Sequence, residues 1–411
     1  MGTARYVSKA ATLRVLFIRP DHIGDLLLTF PAVAALRRVI PAAHLTYAAP
    51  ADAVAAAERC PSLDAALTVP FPPFGRDGSC DVGWRETVRA EAAKLLGRFD
   101  AALVVRPDDP WSAELVGRAS IPIRLGFDMP RTRPHLTDVL PVHDDRHVAL
   151  DGFDLVDALL ARLSVSARAA RVLDPSLVVS RDDEEEVDAV LADEGAHEPL
   201  IVLHPGSGWP LKNWPASRWW QLVVELARRT GTRPLLAGTA HEEPLVRRVV
   251  EATPAINLAG RLSLGALAAL HKRARLVVTT DSGALHLAAA MGAPVVGIFG
   301  PGDPFRFAPL APPSRVRVVR LGLPCSPCGT LEHPPCGAVR DPACVSGITV
   351  RPVVEAATEL LRAPRPAPRG LPQRTAPPTA PMSDALTHGA APPVRGGRGE
   401  TGPLPAAATR R

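Results

Sequence analysis

A chain of 411 residues is long enough for two folded domains with sizeable cores. It carries 47 Lys and Arg against 42 Asp and Glu, a formal charge of +5. The stretch from Pro364 onward holds 7 Arg and 2 acidic residues and so accounts for the whole excess; the body is formally neutral, and nucleic acid is not an expected partner. The sequence has neither an apolar run of 18 residues nor a secretory leader pattern, which predicts a cytoplasmic protein without a membrane span. Four of the 6 Cys fall between Cys325 and Cys344, unlike the spread spacing of a disulfide framework.

Residues 13–18 read as a first parallel strand. It runs straight into Arg19-Pro20-Asp21-His22-Ile23-Gly24-Asp25 and an apolar helix over 26–39, with Pro31 in its first turn or opening its regular part. The alternation continues with strand 44–48, helix 51–58 and strand 65–69. A loop rich in Pro and Gly follows over 70–84, then helix 85–96, strands 101–105 and 123–127, and helix 150–163. Residues 164–180 read as an interdomain linker. A second series opens with the acidic helix 182–194, capped near Ser180 or Arg181, whose charge run complements the helix dipole. Strands are predicted at 200–204, 233–237, 276–280 and 295–299, with helices over 216–229, 243–251 and 264–272. An edge strand at 315–319 and a helix over 350–361 close the series. Such alternation implies an α/β protein built of doubly wound parallel sheets covered on both faces, in halves 1–165 and 166–363. The composition of 364–411 predicts a disordered tail.

Several strand ends carry chemistry. Thr279-Thr280-Asp281-Ser282-Gly283 passes from strand through a polar turn into a helix, where unpaired N–H groups and the dipole meet an anion; an ordinary βα turn reads the same way. His286, one helical turn beyond Ser282, would face that anion, or be structural. Asp25 follows the first strand, where a carboxylate faces the ligand crevice and can take a proton from a hydroxyl. The position also suits a helix N-cap, and Asp21 and His22 are rival bases. In the loop from His204 to Pro215, Gly206 and Gly208 allow close backbone approach around Ser207, and Lys212 offers a point charge to phosphate. Glu242 suits a ribose diol, or simply complements the next helix dipole. Cys325-x2-Cys328-x7-Cys336-x7-Cys344 has the count for a structural tetrahedral zinc site, with His333 as a substitute ligand; an iron–sulfur cluster and unmetallated thiols stay open. No Asp-x-Asp metal pair occurs, and the one Gly-x-Gly-x-x-Gly, from Gly397 to Gly402, lies in the tail without a preceding strand.

Taken together, the Arg19–Asp25 loop followed by Pro31, the Lys212-Asn213-Trp214-Pro215 segment and the Asp281-Ser282-Gly283-x-x-His286 turn resemble the glycosyltransferase family 9 heptosyltransferases over roughly residues 13–361. The resemblance implies a GT-B fold, two Rossmann-like domains facing a central cleft, with the nucleotide sugar held mainly by the C-terminal one. It implies inverting transfer without a catalytic cofactor or metal. Asp25 matches the general base and Lys212 the phosphate-binding lysine. Asp281, Ser282, Gly283 and His286 match the donor turn, with Glu242 at the ribose and Ser207 and Gly208 beside the phosphates. Where smaller relatives have Thr-Thr before the lysine, this chain has Gly206-Ser207-Gly208, one residue longer. The expected donor is ADP-heptose. The expected acceptor is a lipid-linked or lipopolysaccharide-core saccharide, met at the inner face of the cytoplasmic membrane through peripheral contact. Phe71, Phe74, Trp84 and Trp111 are candidates for engaging it, or ordinary packing. A nucleotide-sugar epimerase or hydrolase on the same fold, and a non-catalytic nucleotide-sugar sensor, are the rival readings.

Overall fold

Aliphatic, β-branched runs alternate twice along the chain with helix-forming stretches, and each series builds its own parallel sheet. The computed structural model describes residues 12–71 and 84–364. The first series comprises β1 (Arg14–Ile18), α1 (Ile23–Val39), β2 (His44–Ala49), α2 (Val54–Glu58), β3 (Ala65–Thr68) and α3 (Trp84–Leu95). It ends with β4 (Ala101–Val104), α4 (Pro110–Arg118), β5 (Ile123–Phe127), β6 (Asp138–Leu140) and α5 (Ala149–Arg162). The second opens with α6 (Arg181–Asp193), β7 (Ile201–His204), α7 (Ala216–Thr230), β8 (Leu235–Leu236), α8 (Glu243–Val250) and β9 (Ile256–Asn257). It continues through α9 (Leu264–Arg273), β10 (Leu276–Thr280), α10 (Gly283–Ala290), β11 (Val295–Phe299) and α11 (Pro304–Phe307). Strand β12 (Val316–Arg320), α12 (Ala343–Ser346) and α13 (Val350–Arg362) complete it.

The sheet orders are β3-β2-β1-β4-β5-β6 and β12-β11-β10-β7-β8-β9. Both follow one rule: the chain winds outward from a central strand, returns, and winds out the other way. The reversal leaves a crevice beyond the carboxyl ends of β1 and β4 in one sheet and of β7 and β10 in the other. The GT-B expectation of paired doubly wound sheets is met.

Three local details differ from the sequence reading. Pro31 lies in the middle of α1, because the helix already starts at Ile23. An interior proline forfeits one backbone hydrogen bond, which burial of the whole stretch from Leu26 to Val33 outweighs. Residues 110–118 form α4, where Asp109 caps the helix and Pro110 takes its first turn; Asp108-Asp109-Pro110 is thus a helix start. Strands β6 and β9, of 3 and 2 residues, are too short to carry a periodic signal. The expected tail beyond Pro364, Phe74 and Cys80 lie outside the described residues.

Helix α1 packs on α5 and on α10. One apolar cluster therefore runs from Leu26, Leu27 and Phe30 of the first series to Leu287, Ala290 and Met291 of the second. This seam fixes how the two sets of strand ends meet. Among the described residues no helix is long and apolar enough to cross a membrane.

Candidate active site

At the carboxyl end of β1, Arg19 turns back into the fold and is only 5 % exposed. Its Nε donates to Asp21 Oδ2 at 2.7 Å and its Nη2 to Asp25 Oδ1 at 3.0 Å. Arg106, beyond the end of neighbouring β4, donates from Nη1 to Asp21 Oδ1 at 2.7 Å. His22 is the N-cap residue of α1 and Asp25 sits in the first turn, so the Asp25 carboxylate is not spent on capping.

The two carboxylates are driven in opposite directions. Burial works against ionisation of Asp21, but Arg19 and then Arg106 hold it below the ordinary range. Burial pushes Asp25 up, and Arg19 restrains the rise without cancelling it. A pair separated this way sorts into a permanently charged partner and a proton acceptor. Asp25 is the member of the pair whose carboxyl is raised, and its side chain keeps 29 % of its surface open. His22 stands 59 % exposed, 3.8 Å from Asp52 and near enough to lower both carboxyls.

Across the seam, Lys212 ends a short 3-10 turn, Pro210–Lys212, and its Nζ lies 2.8 Å from Asp281 Oδ2. Asp281 follows β10, is 5 % exposed, and is pressed by Gly302 so closely that a Cβ there would come within 2.1 Å of Oδ2. Ser282 is the N-cap residue of α10 with an unoccupied side-chain role, its Oγ lying 3.2 Å from Thr279 Oγ1. His286 is buried with Nδ1 unpartnered, and burial pushes its pKa down to about 4, so the imidazole is neutral at physiological pH. The first turns of α1 and α10 touch: a Cβ on Gly24 would lie 2.8 Å from His286 Cδ2 and 3.4 Å from Gly283 Cα. Lys212 is near enough to draw the Asp25 carboxyl downward. Residues from both halves thus share one electrostatic neighbourhood.

Two expected donor contacts are also busy inside the protein. Ser207 Oγ lies 2.7 Å from both Trp209 O and Asn213 Oδ1, so its one proton is donated within its own loop. Glu242 Oε2 accepts from Thr239 N at 2.7 Å in a capping box, while Oε1 faces Gly206. Gly208 lies in the same loop. Of the aromatics, Trp111 is core: it is 2 % exposed on α4, with the Phe71 ring tilted against it, centroids 4.8 Å apart. Phe71 and Trp84 pack on that same cluster.

Cys325, Cys328, Cys336 and Cys344 line one small cavity of about 20 Å³ with Leu211 and several prolines. As placed, no three metal-donor side chains among the described residues converge closely enough to hold an ion. His333 is not among the residues lining that cavity.

The sequence model described as glycosyltransferase family 9 (heptosyltransferase) matches residues 88–334. The chain belongs to this family. It is accordingly a glycosyltransferase. Lipopolysaccharide heptosyltransferase 2 of Salmonella typhimurium is 27 % identical over 325 residues, spanning 75 % of this chain and 88 % of that protein. Lipopolysaccharide heptosyltransferase 1 of Pseudomonas aeruginosa is 25 % identical, over 77 % of this chain and 86 % of its own length. Among solved structures, the family 9 glycosyltransferase of Veillonella parvula superposes with a TM-score of 0.67 at 24 % identity, covering 85 % of this chain and 97 % of that one. The ADP-heptose lipopolysaccharide heptosyltransferase II of E. coli gives 0.66 at 24 % identity, with 85 % and 98 % covered. The Arg19–Asp25 loop of this glycosyltransferase precedes the matched stretch 88–334, so any role for it rests on geometry. Arg19 and Arg106 received no role from sequence reasoning. A signal was present, because Ile18-Arg19-Pro20-Asp21 and Val105-Arg106-Pro107-Asp108 repeat one pattern at adjacent strand ends.

Proposed function

We propose that this glycosyltransferase moves a heptose from ADP-heptose to a saccharide of the lipopolysaccharide core, with inversion and without a catalytic metal. One observation carries the reading: Asp25 and Lys212, from different halves, stand close enough for their charges to interact. Residues 1–165 then serve the acceptor and 166–363 the donor, a division supported by the side of the seam from which each group comes. The printed names of the relatives, which specify lipopolysaccharide and ADP-heptose, supply the substrate class. A lipid-linked acceptor requires peripheral contact with the inner face of the cytoplasmic membrane.

In the reaction, Asp25 takes the proton of the acceptor hydroxyl as its oxygen attacks the anomeric carbon from the face opposite the nucleotide. The bond to the diphosphate breaks and negative charge grows there. Lys212 exchanges Asp281 for the diphosphate, the N–H groups of Ser282 and Gly283 meet its oxygens at the start of α10, and neutral His286 lies on the same turn. Glu242, through its free Oε1, meets the ribose, and Gly206, Ser207 and Gly208 form the wall that lets the phosphates approach. Each such preorganised donor is commonly worth about 3–4 kcal/mol in the transition state. Replacing Asp25→Ala is expected to lower transfer by about a hundredfold to ten-thousandfold, with fold and donor binding retained. Full transfer in that variant, a requirement for added magnesium or manganese, product of retained anomeric configuration, or turnover of donor alone as in an epimerase or hydrolase would each defeat the reading.

We also infer that Cys325, Cys328, Cys336 and Cys344 hold a structural zinc ion. The support is the all-thiol donor set around one shared cavity; as placed the thiols do not converge, so their side chains would turn inward to bind the ion. Four thiolates would leave the ion no open position for chemistry. Elemental analysis of chain expressed in zinc-supplemented medium is expected to give one zinc per molecule, lost in Cys328→Ser; a metal-free parent chain would refute the assignment.

A further inference from the structure

We infer that Arg19 is a positioning residue that aims and ionises the Asp25 carboxylate, and that the Asp21–Arg106 pair is its anchor; the inference rests on Asp25 being the base. The geometry is an alternating strip, Asp25–Arg19–Asp21–Arg106, laid across the ends of two adjacent strands. Arg19 is buried and forks between two carboxylates, at 2.7 Å to Asp21 and 3.0 Å to Asp25. Its third nitrogen, Nη1, donates to Thr29 Oγ1 at 3.4 Å, and Thr29 in turn donates to the backbone oxygen of Asp25 at 3.0 Å. Both Asp21 oxygens are taken, one by Arg19 and one by Arg106. Asp21 therefore cannot leave to accept a proton, and it clamps the fork from behind. On Asp25 the guanidinium holds Oδ1, which leaves Oδ2 for the acceptor hydroxyl.

A fork serves here where a point charge would not. The planar guanidinium reaches two carboxylates in fixed directions, whereas a lysine ammonium swings freely between them. The charge and the direction are separable contributions. The charge favours ionised Asp25 against the burial that pushes its carboxyl upward. The direction presents one oxygen to substrate and costs no rearrangement at the moment of reaction. Tyr47, buried beneath the strip with its hydroxyl unpartnered, supplies neither. The groups facing Asp25 are therefore Arg19 and Asp21 from its own loop, His22 beside it, Tyr47 of β2, and Lys212 from across the seam.

The test is the pH profile of kcat/KM for three variants of the full chain, with donor affinity followed by thermal shift. In Arg19→Gln the acid limb should move up by about one pH unit, since an adjacent cation commonly lowers a carboxylate by one to three units. In Arg19→Lys the limb should stay within a few tenths of a unit while kcat falls about tenfold or more, because charge is kept and direction is lost. Arg106→Gln, at a position one third exposed, should move the limb in the same direction by less. Donor affinity should stay within twofold throughout. Uniform loss of activity with the acid limb unmoved in Arg19→Gln would overturn the inference, as would equal behaviour of the Lys and Gln variants. Should Arg19→Gln fail to fold by circular dichroism, the limb in Arg106→Gln decides in the same way. Asp25→Asn separates the two readings: an active Asp25→Asn removes the base itself, whereas an inactive one with an unmoved limb in the Arg19 series removes only its positioning.

Discussion

Asp109 shows how far a single buried carboxyl can be driven by its surroundings. It is fully buried; Oδ1 caps α4 by accepting from Ser112 N at 2.9 Å, and Oδ2 has no partner. Burial pushes its pKa up from 3.8 to about 6. The folded chain therefore binds this proton more tightly than the unfolded chain, so stability falls as pH rises from about 4 to about 6 and the loss is complete above that window. The shift corresponds to at most about 3 kcal/mol. Denaturant midpoints measured between pH 4 and 8 should rise on acidification through this window, and Asp109→Asn should flatten the rise while keeping the cap. A variant with the same slope as the parent chain would rule Asp109 out as its source. None of this is legible in Asp108-Asp109-Pro110-Trp111 as a string, since the burial that causes it comes from Trp111 and Leu115 folding into a helix over the sheet.

At the scale of elements, α1 and α10 meet so tightly that a glycine decides the contact. A Cβ at Gly24 would stand 2.8 Å from a ring atom of His286, a buried side chain with little room to yield. Gly24→Ala is expected to cost about 1–3 kcal/mol in denaturation and to lower transfer. Adding His286→Ala should restore much of the stability without restoring donor affinity. Additive losses in the double variant would mean that the strain lies elsewhere. The elements themselves were largely legible: the strands at 276–280 and 295–299 have the expected bounds, since buried parallel strands announce themselves as aliphatic and β-branched runs. The candidate residues were legible as types at strand ends. Their partners were not, because Lys212–Asp281 and Arg106–Asp21 depend on which strand ends become neighbours. Ser207 and Glu242 looked free in the string, yet each is partly engaged by its own loop. Spacing alone cannot separate a loop that holds a ligand from one that holds itself together.

For the molecule as a whole, the halves are also tied away from the site. Arg59, just past α2, donates from Nη2 to Asp183 Oδ1 at 2.9 Å, and its carbonyl accepts from Val178 N at 2.8 Å. Asp183 at the same time closes the capping box that starts α6, accepting from Ser180 N at 2.8 Å. Gly265 of α9 is pressed against both partners. Asp183→Ala removes one half of the capping box and strands a partly buried guanidinium, and is expected to cost about 2 kcal/mol in chemical denaturation. A loss below about 0.5 kcal/mol would mean that the tie is incidental.

The meeting of α1 and α10 at Gly24 and Gly283 brings two helix beginnings together like the matching poles of two magnets. Each arrives with its own muzzle, Asp25 in one first turn and Asp281 just ahead of the other. A negatively charged guest at the start of α10 would satisfy what Asp281 now satisfies, and would release Lys212 from it.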